Sequence, residues 1–194
     1  MPFEPESVTA AEIRTFLEGP AQADVKAVQI LHSALMMGIV VFTGLSLGLG
    51  LALHPPARKD AEFLVRMLSL VNAAMTPTLV LVGLFISSQA LRGPMHAITS
   101  DADSVATFVE HALGPLKGAW ILRHALLEGA ALFGATACFL ASTMGVIQEH
   151  PVYFANLATP GLVIAWFVLG FPRTARLAEI LRRQATGTAG AFWV

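Results

Sequence analysis

Ala125-Leu126-Leu127-Glu128-Gly129-Ala130-Ala131-Leu132-Phe133-Gly134 decides how this chain is read. From residue 125 to residue 148, Glu128 is the only charged side chain. A carboxylate in such a run is costly unless it is partnered, protonated or facing a cavity. Three further runs, residues 34–53, 67–91 and 151–171, contain no charge at all. Each is long enough to cross a ~30 Å hydrocarbon core as a helix. The chain of 194 residues is 55% hydrophobic and 13% charged, whereas soluble domains carry roughly 25% charge. The sequence therefore predicts an all-α membrane protein with four transmembrane helices.

The hydrophilic segments complete the layout. Residues 1–28 form an acidic N-terminal segment that reads as a folded piece, not a signal peptide. In it, Thr9-Ala10-Ala11-Glu12 fits a capping box, and Ile13, Phe16 and Leu17 make a short apolar stripe. The first hairpin occupies residues 29–91. A connection with a short helix covers 92–118, the second hairpin 119–172, and a basic tail with an interfacial Trp193 covers 173–194. Both termini and the central connection hold most of the Lys and Arg. Arg58, Lys59 and Arg66 are on the other side. The positive-inside rule then puts both termini in the cytoplasm.

The two hairpins resemble each other. Residues 30–43 align with 121–134 at six identities in 14 positions, pairing Met37 with Glu128. Met75-Thr76-Pro77-Thr78-Leu79-Val80 matches Ala158-Thr159-Pro160-Gly161-Leu162-Val163. A two-helix unit returns to its own side, so the repeats are expected to be parallel.

Candidate chemistry centres on Glu128. It lies roughly 13 Å into its helix at 1.5 Å per residue, and His124, four residues earlier, shares its face. Pro77 and Pro160 each remove an N–H and free the carbonyl four residues before, at Ala73 and Asn156. A neutral carboxyl can donate to such a carbonyl. Glu128, His124, Asn72 and Asn156 are thus candidates for an ion or proton site, or for a buried hydrogen-bonded carboxyl that fixes helix register. Gly44, Ser46, Gly48 and Gly50 stand at every second position, and with Pro77 and Pro160 they are read as helix-packing residues. The ladder suits packing within the chain or side-by-side association of protomers. His32 and His124 occupy nearly equivalent repeat positions, as a bis-histidine haem anchor requires.

Other classes receive no support. The net charge of -1 gives no basic footprint for nucleic acid. The single cysteine, Cys138, excludes an intramolecular disulfide and a CxxC metal site. No P-loop, HExxH, nucleophile elbow or dinucleotide fingerprint occurs. No enzyme activity, metal or cofactor is expected. The expected partners are the lipid bilayer and either further copies of the chain or a larger membrane complex.

Two resemblances extend this reading. The Glu128 helix, with the Gly44/Ser46/Gly48/Gly50 ladder, resembles the proteolipid (c) subunit of rotary ATPases. That implies ion or proton binding at the carboxylate and assembly into rings. In that family the carboxylate stands on the second helix of a hairpin, and here it stands on the first. The layout as a whole resembles an uncharacterised family of bacterial four-span inner-membrane proteins. The residues that carry this are Gln29-Ile30-Leu31-His32, Ile121-Leu122-Arg123 and Phe171-Pro172-Arg173-Thr174. This resemblance implies an inner-membrane location and no particular activity.

Overall fold

The computed structural model describes residues 8–56, 58 and 60–187. Among these the chain is helical, with no strand. In order it forms α1 (Ala10–Glu18), α2 (Gln22–Ala52), α3 (Ala61–Asp101), α4 (Val105–Thr143) and α5 (Val146–Glu149). A 3-10 helix (Pro151–Leu157), α6 (Ala158–Leu169) and α7 (Thr174–Ala185) complete it. Four stretches are long and apolar enough to cross a membrane: Gln22–Ala52, Ala61–Gln89, Val105–Thr143 and Pro151–Leu169. Their outward side chains suit lipid. Leu169 is 79% exposed, Phe63 72% and Ile30 70%, and burying none of these would be untenable in water.

The connection read at residues 92–118 is corrected. Residues 92–101 continue α3, and 105–118 begin α4. At 41 residues, α3 is about 60 Å long, twice the thickness of a hydrocarbon core. Loss of hydropathy after Leu91 marks the end of the apolar stretch, not the end of the helix. The break falls at Ala102–Ser104, where the Ser104 hydroxyl accepts from the Thr107 N–H at 3.2 Å and so caps α4. Pro115 does not stop α4. Within the basic segment 173–194, residues 174–185 form helix α7. Trp193 lies outside the described residues.

The chain divides into two compact units. The first holds the described residues up to His32, Val82–His124 and those from Phe171 onward. Its core joins Ile13 and Leu17 of α1, Val25, Leu91, Phe108, Val109, Leu116 and Trp120, and Leu177 and Leu181 of α7. α1 starts as its capping box dictates: the Glu12 N–H donates to Thr9 Oγ1 at 3.3 Å, and the Thr9 N–H donates to Glu12 at 2.9 Å. Its apolar stripe packs against α7. Lys117 pairs with Asp24, and Gln29 Nε2 donates to the Pro172 carbonyl at 2.9 Å.

The second unit comprises Ser33–Leu81 and Ala125–Gly170. One small core gathers Ile39, Leu127, Ala131, Val163 and Phe167. Another gathers Ala61, Val65, Cys138, Ala141, Val146 and Ile147, where Cys138 is a buried packing residue. Gly145 opens α5 at φ 75°, a left-handed conformation that suits glycine. Gln148 Nε2 donates to the carbonyls of Gly50 (3.3 Å) and Leu53, satisfying acceptors left open where α2 ends. The last span does not start as an α-helix: Pro151–Leu157 is wound as a 3-10 helix before α6 takes over.

Candidate functional site

Glu128 is half-buried on α4. A Cβ added to Gly38 of α2 would lie 3.8 Å from its Oε1, so the carboxyl rests beside a bare stretch of backbone. Among the described residues the carboxyl makes no hydrogen bond and no ion pair. Asn72 and Asn156, read as its companions, are engaged elsewhere.

They meet each other. Asn72 Nδ2 donates to Asn156 Oδ1 and to Thr159 Oγ1, both at 3.3 Å. Asn156 Nδ2 donates to Ser69 Oγ at 2.8 Å and to the Tyr153 carbonyl at 3.0 Å. The hydroxyls of Thr76 and Thr159 lie 3.1 Å apart. Asn72, Asn156 and Thr159 are buried, as hydrogen-bonded polar groups in an apolar helix bundle must be. Gly134 of α4 allows the approach. A Cβ there would stand 2.6 Å from the Asn156 carbonyl oxygen and 3.2 Å from the Asn72 amide. Beside this cluster lies a cavity of about 400 Å³.

His124 belongs to the first unit. The partner expected for it was Glu128, but its Nδ1 lies 2.8 Å from the Trp120 carbonyl of its own helix. The helix offers that carbonyl one turn back. His32 and His124 are both buried, with ring centroids 4.8 Å apart in an edge-to-face contact. Trp120 and Phe171 complete the aromatic cluster around His32, at 5.9 and 5.4 Å. Axial haem ligands must face each other across a macrocycle, and two imidazoles in edge contact leave no room for one. The residues do not fit a haem. No group of three His, Cys, Asp or Glu side chains that could hold a metal occurs among the described residues.

The small-residue ladder divides in two. Ser46 and Gly50 face inward. Ser46 is fully buried, and a Cβ on Gly50 would meet Phe154 and Ser142 at 2.9 Å. Gly44 and Gly48 are exposed and would meet nothing within 4 Å. Residues two apart on a helix point to nearly opposite faces, so only half the ladder packs within the chain. The prolines divide similarly: Pro160 is buried and Pro77 is exposed at the cavity rim.

Sequence reasoning passed over Ser69, Thr159 as a bonding partner, and Gly134. The duplicated Thr-Pro dipeptide was the available signal for the threonines. Gly134 gives no sign of its role until the facing amides are placed. Comparison with known families, curated proteins and solved structures finds no match, so the functional reading rests on these residues.

Proposed function

We propose that the chain is a small accessory subunit of a membrane assembly, packing with further copies of itself or with a larger complex, and not an enzyme. We place it in a bacterial inner membrane as two parallel hairpins with both termini in the cytoplasm. The observation that carries the assembly reading is Glu128. A carboxyl inside a span, with no partner among the described residues of its own chain, calls for one from outside it. The open Gly44 and Gly48 face supports the same reading, because small residues let a neighbouring helix approach closely. The parallel repeat is supported by Thr76 and Thr159, equivalent positions whose hydroxyls meet at 3.1 Å. Translocation of a proton or ion through Glu128 is the weaker alternative, since a relay requires further ionisable groups in hydrogen-bond reach.

The test is native mass spectrometry of the protein extracted in mild detergent. The expected result is an oligomer or a larger complex that Gly44→Leu/Gly48→Leu and Glu128→Gln each shift toward the single chain. A wild-type protein that emerges only as a solitary chain, at every detergent concentration, overturns the proposal.

A further inference from the structure

The cavity beside the amide cluster is separate from the Glu128 surface, and its chemistry is unlike that of the rest of the span. Its polar lining, or floor, is Ser69, Asn72, Thr76, Tyr153, Asn156 and Thr159, with the exposed Ala73 beside them. Its rim includes Val152, Ala155 and Pro77, all exposed on the apolar outer surface. At about 400 Å³ it falls within the range of small-molecule sites. No Asp, Glu, Lys, Arg or His lines it. A charged headgroup would therefore enter with nothing to neutralise it, which in a low-dielectric setting is strongly unfavourable.

The hydrogen bonds of the floor show which neutral group it can take. Apart from the Tyr153 hydroxyl, its side-chain donors are spent internally. Ser69 Oγ donates to the Val65 carbonyl at 2.8 Å, and Thr76 Oγ1 donates to the Asn72 carbonyl at 2.8 Å. Both N–H groups of the Asn156 amide are used, and both of the Asn72 amide. The Thr159 hydroxyl lies within reach of Thr76 Oγ1 at 3.1 Å and Asn72 Oδ1 at 3.5 Å. Acceptor capacity remains. Pro77 has no N–H to give the Ala73 carbonyl, and each hydroxyl oxygen has a second lone pair. The bonds of the Asn72 side-chain amide, at 3.3 to 3.5 Å, are long compared with the usual ~2.9 Å, so that amide can yield to a competing donor at small cost.

The geometry points to a lipid-facing binding site for an uncharged, membrane-soluble alcohol: an apolar body lying along the rim, with a hydroxyl that donates to the oxygen floor formed by Ala73, Thr76 and Ser69. Long-chain, isoprenoid and phenolic alcohols share this chemistry. An alkane has no donor for the floor, and a carboxylate brings an uncompensated charge.

The test uses the full chain reconstituted in phosphatidylcholine bilayers, with a diazirine-bearing hexadecanol as probe. A diazirine alkane and a diazirine fatty acid of equal length serve as comparators, and labelled residues are mapped by mass spectrometry. The expected result is labelling concentrated on residues 69–77 and 152–159. The alcohol should exceed the alkane there by about fivefold, the worth of a hydrogen bond of ~1 kcal/mol, and excess unlabelled hexadecanol should compete. Ser69→Ala combined with Thr76→Val should bring the alcohol down to the alkane level while the thermal midpoint is monitored. If that variant fails to fold, the wild-type ratio of alcohol to alkane decides alone. Equal labelling by alcohol and alkane, stronger labelling by the fatty acid, or labelling spread evenly over the outer surface would overturn the assignment. Any of these results leaves the assembly proposal untouched, because it concerns α2 and Glu128.

Discussion

Gly134 is the residue on which the second unit's polar cluster depends. Its missing side chain is replaced by the Asn156 carbonyl and the Asn72 amide, which sit where a Cβ would be. The close atom at 2.6 Å is backbone, so it cannot swing aside as a flexible side chain can. We expect Gly134→Ala to destabilise the protein by about 1–3 kcal/mol, the usual cost of overpacking. Gly129→Ala, on the same helix and with nothing within 4 Å, should be neutral or stabilising by up to ~1 kcal/mol. Thermal unfolding in detergent reads both, and equal effects would show that the approach at Gly134 is not tight. The contrast also marks what a sequence can show about single residues. Glu128 stands out because it is the wrong polarity for its surroundings. Gly129 and Gly134 look alike because nothing local distinguishes a glycine that faces open space from one that faces a carbonyl.

Among the elements, α7 shows how much of a helix's behaviour follows from its own sequence. Leu177, Ala178, Leu181 and Ala185 recur at helical spacing and are buried, while Glu179, Arg182 and Arg183 lie on a more accessible side. Glu179 accepts from Arg182 at 2.9 Å and from Arg183 at 2.7 Å. These hydrogen bonds pull its carboxyl down to about 2. A folded-state value below the unfolded one, ~4.3, means the stabilisation is complete above the unfolded value. It is lost as the pH falls from there through about 2. With the side chain 36% exposed, the contribution should stay below ~1 kcal/mol. Hydrogen exchange of α7 amides should therefore be slower in wild type than in Glu179→Gln above pH 5, and the difference should fade near pH 2. A difference that grows in acid would contradict this origin. Helix existence was legible for α1, through its capping box, and for the four spans, through hydropathy. The ends of α3 and α4 were not. Hydropathy reports where lipid would stop, and a helix continues past that point until a cap such as Ser104 or a turn ends it. The 3-10 winding of Pro151–Leu157 was equally hidden, since its composition is that of any apolar helix with a proline at the start.

For the molecule as a whole, the proposed orientation rests on charge. Arg14, Lys26, Arg92, Lys117, Arg173, Arg176, Arg182 and Arg183 fall on one side of the four spans by sequence, against Arg58, Lys59 and Arg66 on the other. In a Cys138→Ser background, a membrane-impermeant maleimide added to intact cells should label Arg58→Cys and spare Arg14→Cys until the cells are lysed. The reverse pattern would invert the proposed topology. The spans and this asymmetry could be read from composition alone. Which polar residues meet could not, because Asn72 and Asn156 are 84 positions apart and neither apolar run indicates its neighbour. The packing of α1 on α7 bears on how the protein is made. α1 is made before α7, with the four long apolar stretches between them, so the face of Ile13 and Leu17 that packs on α7 is uncovered until residues 174–185 are made. The first unit therefore closes only once α7 has been made. A chain that stops short of α7 leaves Ile13 and Leu17 without that cover, an apolar face open to proteolysis.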